Sequence, residues 1–180
     1  LKRKKINRDV VELINTDDFV PSEHILRKID KAVAFERIYT MVEPVYCEDN
    51  AKSAVDWVVL FKLVLLQRLY DLPSLRRTVE EVEMNVAYRW FLGYTMSEKT
   101  PRFKAVTFDV LHRFTPENIE KIVTWVLDET NKAGFYKISA AFTGTPGNNN
   151  VHFTTRKKEQ IAAAAKVYTK QLLDELSGGR

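Results

Sequence analysis

Three histidines, one cysteine and several adjacent carboxylates are the groups in this chain that could do chemistry, and their spacing argues against most of it. His24, His112 and His152 stand far apart in sequence, with none of the close spacing that zinc ligands use. His24 falls in the first turn of an expected helix and His112 sits beside Arg113, so both read as surface or partner-contacting groups. Cys47 is the single cysteine. It offers no internal disulfide, no Cys/His cluster and no nucleophile paired with a base. The pairs Asp17/Asp18 and Glu80/Glu81 are neighbours in sequence, so on a helix they diverge and read as solvated acids. The string TGTPG lacks the lysine and the following hydroxyl of a nucleotide-cradling loop. Enzyme chemistry has no visible carrier, and no cofactor or metal is expected.

What the sequence does offer is positive charge. The net charge is +4, but Lys2, Arg3, Lys4, Lys5 and Arg8 place +5 in the first eight residues and leave the remainder at −1. Such an arm can bind phosphates by releasing counterions whatever the base sequence; a solvated, frayed terminus is the competing reading. With 180 residues, 45% apolar and 29% charged, the chain suits one compact domain, or one with an appendage, and needs no disulfide staple. The longest apolar run, residues 54–70, is broken by Asp56, Lys62 and Arg68, so no membrane span is expected. Nor does the basic start lead into the apolar block of a secretory signal. A cytosolic, nucleoid-associated protein is the expectation.

The elements that must position these groups read as helices. Ser22 is a natural N-cap ahead of Ile25, Leu26, Ile29 and Val33, which recur at helical spacing. A short helix over AFERIYTMV ends before Pro44, and EPVYCEDNAKSA is a loop. Residues 55–69 are apolar on most sides, which suits a central helix surrounded by others. Ser74 then caps SLRRTVEEVEM, with Leu75, Val79 and Val82 inward and Arg76, Arg77, Glu80, Glu81 and Glu83 outward. Asn85 and Gly93 delimit a short helix over VAYRWFL, in which Trp90 and Phe91 are expected core anchors. These two short helices have the spacing of a helix-turn-helix unit, a pattern many small helical domains share.

MSEKTPRFKA reads as a polar loop carrying Lys99, Arg102 and Lys104, followed by a helix over VTFDVLHRF. Thr115 and Pro116 open the best-delimited helix, closed by Gly134. FYKISAAF, within 135–142, has the aromatic and β-branched character of an extended segment. TGTPGNNNVHFTT is a loop, and the chain closes on a helix with Ile161, Ala164, Tyr168, Leu172 and Leu176 along one side. The expected fold is mainly α: a helical bundle with a helix-turn-helix-like unit, one short extended segment and a C-terminal helix. The expected organisation is a basic arm over 1–20, a helical domain over 21–134, and a segment over 135–180 with the C-terminal helix.

Four phrases in this order, HILRKID, VVLFKL, SLRRTVEE and AYRWFLG, resemble the N-terminal domain of one group of bacterial insertion-sequence transposases, over about residues 20–134. The resemblance implies a helical, DNA-recognising region followed by a ribonuclease-H-like core in which three acids, the DDE set, hold two divalent metals for strand cleavage and joining. Residues 135–180 are thereby implied to be a remnant of the start of that catalytic core. The chain departs from that pattern. Where the first core aspartate is implied, FTGTPGNNN places Thr143, with Pro146 for the histidine and Asn148 for the lysine, and the other two acids would follow Arg180.

The resulting expectation is a transposase-derived DNA-binding protein without catalytic activity, a regulator or a competitor of an intact transposase. Duplex DNA would meet Arg76, Arg77, Tyr88 and Arg89 on the helix pair, Arg102, Lys104, His112 and Arg113 on a second surface, and the arm residues Lys2, Arg3, Lys4, Lys5 and Arg8. For Arg76 and Arg77 the competing reading is an ion pair with Glu80 and Glu81. A protein-interaction module also stays open, dimerising through IAAAAKVYTKQLLDEL, against simple docking of that helix onto its own domain. So does the front part of a longer active transposase.

Overall fold

The structure is a computed structural model and describes residues 13, 15–43, 55–135 and 158–178. Among these residues there are eight α-helices, one 310 turn (Thr16–Phe19) and no strand. The helices are α1 (Ile25–Ala32), α2 (Arg37–Val42), α3 (Trp57–Leu69), α4 (Leu75–Met84), α5 (Val86–Leu92), α6 (Phe103–Arg113), α7 (Pro116–Lys132) and α8 (Lys158–Gly178). The basic arm, Cys47, His152, Thr143 and all of the proposed extended segment after Phe135 lie outside the described residues.

α3 is the hub. Val59, Leu60, Phe61, Leu63, Val64, Leu65, Leu66 and even Gln67 are buried, because a helix without a polar stripe must be covered on several sides. α2, α4 and α5 pack on it; Phe61 meets Phe114 edge to face, and Lys62 lies over the rings of Phe35 and Phe91, which are themselves edge to face. Asp56 opens α3: one carboxylate oxygen accepts the N–H groups of Val58 and Val59 at 2.8 and 3.2 Å. Its other oxygen accepts the Tyr39 hydroxyl at 2.6 Å, tying α2 to the same end.

Local signals set the other boundaries. Ser74 Oγ takes the Arg77 N–H, and Thr115 Oγ1 takes that of Asn118 behind Pro116. The expected cap at Ser22 is corrected: the chain turns through Pro21–His24, so His24 Nδ1 accepts the Leu26 N–H at 3.3 Å. Asn85 ends α4 and begins α5, its Oδ1 accepting from Ala87 and Tyr88. α5 stops at Gly93, where φ is +83° and the Tyr94 N–H reaches back to the Arg89 carbonyl. That conformation strains any residue with a Cβ.

α8 packs against α7 and α6, with Ile161, Ala164, Tyr168, Leu172 and Leu176 buried. It therefore docks on its own domain, as the simpler reading of that helix held. Glu175 accepts the Leu75 N–H at 2.6 Å and the Gln67 side-chain amide at 3.2 Å. A carboxylate is thus placed at the positive end of α4. Tyr168 is fully buried, its hydroxyl donating to Gln67 at 3.3 Å, and Arg68 lies over its ring. Burial pushes the Tyr168 phenol well above its ordinary value. No helix among the described residues is long and apolar enough to cross a membrane.

Candidate nucleic-acid interface

The sequence offers two cationic surfaces, and the fold treats them differently. On α4, Arg77 binds Glu80 at 3.5 Å and also Glu81, one turn along the same face. Arg76 escapes both acids and extends over the ring of Phe103, 4.4 Å from its centroid, which attaches it to the start of α6. On α5 the expectation of surface contacts at Tyr88 and Arg89 is corrected. Both are buried, because a helix of seven residues, wedged against α1, α3 and α4, hides most of its circumference. Arg89 donates to the carbonyls of Thr95 at 2.8 and 3.1 Å, of Met96 at 3.3 Å, of Glu83 at 3.4 Å and of Glu98. Its guanidinium is the scaffold of the loop that leads into α6. Tyr88 packs on Tyr70, ring centroids 4.9 Å apart. Burial first, then Tyr70 and Glu81, push its phenol up to about 12.

The geometry of the pair also differs from a helix-turn-helix unit. One residue, Asn85, joins α4 to α5, whereas that motif uses a turn of about three or four residues before a helix that projects from the body. Trp90 is half-buried rather than a core anchor. Its Nε1 donates to Asp17 at 2.8 Å and Arg27 stacks on its ring at 4.5 Å. Arg27 in turn binds Asp17 and donates to the Val20 and Asp17 carbonyls. The Arg27 and Trp90 hydrogen bonds hold the Asp17 carboxyl below its usual range.

α6 is organised the opposite way. It begins at Phe103 rather than at the expected Val106, which puts Lys104 on the helix and makes Arg102 its N-terminal residue without a side-chain cap. Val106 and Val110 point into the core, and so does Asp109, its only acid, with no exposed surface. Asp109 accepts the Val55 N–H at 2.9 Å and Arg113 Nε at 2.8 Å. That contact turns Arg113 inward, its side chain only 10% exposed, and withdraws it from the expected surface.

With its acid buried, α6 shows solvent a stripe of Lys104, Phe108 and His112, successive i, i+4 positions. Phe108 is 51% exposed, and His112 stacks on it with ring centroids 4.4 Å apart. Among the described residues, Arg76, Arg102 and Lys104 have no carboxylate partner. Sequence reasoning passed over Phe108, although its place midway between Lys104 and His112 was a readable signal.

One face of α6 is open to solvent, and a helix of about 10–12 Å diameter is matched to the width of a major groove. Cations at one end can contact phosphates, and a stacked aromatic plate can meet sugar or a thymine methyl.

The fold is thus a mainly helical one with a cationic, aromatic outer helix among the described residues. A family model described as Transposase domain (DUF772) matches residues 14–109, more than half of the chain. The chain belongs to this transposase-domain family. No curated protein and no solved structure matches it.

Proposed function

We propose that this chain is the duplex-DNA-binding helical part of an insertion-sequence transposase of the DDE type or of a regulator derived from one, and that it does not itself cut DNA. The observation that carries the DNA reading is the composition of α6: its only acid is buried while Lys104, Phe108 and His112 face solvent, with Arg102 and Arg76 at the same end. Membership of a transposase-domain family supports it. The inactivity reading rests on Thr143, where the resemblance implies the first metal-holding aspartate. In this account the α6 stripe contacts the duplex and the arm residues Lys2, Arg3, Lys4, Lys5 and Arg8 add phosphate contacts. The protein then occupies DNA sites as a regulator or as a competitor of an intact transposase.

The test is binding to duplex DNA as a function of salt, for the full chain and for a version lacking residues 1–8. The reading expects a steep dependence that becomes shallower without the arm. Undetectable binding at low salt would leave a protein-interaction module as the better account. Added magnesium should give no strand cleavage; clear cleavage would favour the front part of an active transposase.

A further inference from the structure

A second cationic feature is built from helices other than α6. A cavity of about 520 Å³ opens between α2, α7 and α8, within the range of roughly 300–1,000 Å³ typical of small-ligand sites. Arg37 of α2, Lys121 of α7 and Lys158 at the start of α8 line it. They come from three helices, and among the described residues none has a carboxylate partner at ion-pair distance, Glu117 standing one turn before Lys121 on α7 without bonding it. The one acid on the wall, Asp128, is already bound by Lys132 at 2.8 Å. Lys158 also stands at the positive end of a 21-residue helix.

The cavity is too large for a bare anion, and its wall is aromatic. Trp125 is half-buried there, its indole Nε1 has no hydrogen-bond partner, and the Arg37 guanidinium lies 5.9 Å from its ring centroid. A planar group held between the two needs about 7 Å, twice a contact of roughly 3.5 Å, which a small swing of the exposed Arg37 side chain supplies. Thr40 and Thr124 add hydroxyls to the wall.

We infer that this pocket binds a nucleoside monophosphate unit, its base stacked on Trp125 and its phosphate held by Lys121, Lys158 and Arg37. Such a unit can arrive free or as an unpaired residue of a DNA strand. The inference stands apart from the α6 reading, since it uses no residue of that helix.

The test follows the indole N–H resonances of the full-length chain by NMR, with Trp125 assigned through Trp125→Phe. The probes are thymidine 5′-monophosphate, thymidine, inorganic phosphate and a short oligothymidylate. The nucleotide should shift the Trp125 signal while leaving Trp57 and Trp90 in place, and Lys121→Ala with Lys158→Ala should weaken it at least about tenfold. Arg102→Glu with Lys104→Glu should leave it unchanged. A shift by both the nucleotide and the oligothymidylate, or by either alone, supports the site and tells a free source from a strand. No Trp125 shift with either overturns it. So does an equal shift by inorganic phosphate, or loss of binding in the α6 variant, which would put the contact elsewhere.

Discussion

The α4–α5 pair and α6 carry the same kinds of residue, arginine or lysine interleaved with aromatics, and end with opposite surfaces. On α4 the acids sit outside at three- and four-residue spacing from the cation, so Arg77 is paired to Glu80 and Glu81. On α5 the cation is inside, and Arg89 spends its donors on backbone carbonyls. On α6 the acid is inside, bound by Arg113 and by the Val55 N–H, and Lys104 with His112 stays outside. Whether a basic helix presents charge to a polyanion thus depends on where its acids point, not on how many cations it has.

The largest predicted effect comes from undoing the buried acid of α6. Asp109→Ala removes the buried carboxylate that both Arg113 Nε and the Val55 N–H reach, at a cost of about 3–5 kcal/mol. Urea unfolding should show it as a lowered midpoint with little change in slope. A loss below about 1 kcal/mol would mean that α6 does not depend on that contact.

Asn85→Ala is next. It removes the acceptor for Ala87 and Tyr88 at the joint between α4 and α5, and should lower stability by about 1 kcal/mol without weakening DNA binding, because that joint holds no projecting recognition helix. Weakened binding in a stably folded Asn85→Ala would restore the pair as a DNA-contacting unit.

A smaller effect sharpens the contrast from the other side. Glu80→Gln with Glu81→Gln frees Arg77 and removes two negative charges, at a stability cost of a few tenths of a kcal/mol. DNA affinity at low salt should rise by less than about twofold, because the Arg77 face of α4 is turned away from the duplex. A larger rise would place that face against the DNA.

The smallest effect is on pH dependence. Tyr88 keeps its proton to about pH 12 in the fold, whereas an exposed tyrosine loses it near 10. Its contribution to stability is fully present below pH 10 and fades as pH rises through 12. A spectrophotometric titration of the protein minus that of Tyr88→Phe should place this phenol near 12. A value near 10 would mean that α5 is solvent-facing after all.

Much of this architecture was legible in the sequence because the signals are local. Ser74, Asn85, Gly93 and the Thr115–Pro116 step act within one turn, and the apolar faces of α3, α7 and α8 repeat over many residues. What escaped was set at long range or on short helices. α5 spans two turns, too few for a period to say which face of YRWFL is buried. Trp90 is held by Asp17 and Arg27 across more than sixty residues. The inward Asp109 carboxylate accepts the Val55 N–H, 54 positions away. The candidate site was legible at Arg102, Lys104 and His112 as residue types. Its shape was not, since the early start of α6 and the stacking of Phe108 on His112 follow from packing.

The central claim is that α6, with Arg76 beside its start, and not the ion-paired Arg77 face of α4, meets DNA, and paired charge reversals measured by fluorescence anisotropy across a salt series test it most directly. Arg102→Glu with Lys104→Glu should weaken binding more than about tenfold and reduce the salt slope by about 2, while Arg77→Glu should leave the slope within about 0.5 of the parent. Equal losses in the two proteins, or a larger loss from Arg77→Glu, would contradict the account.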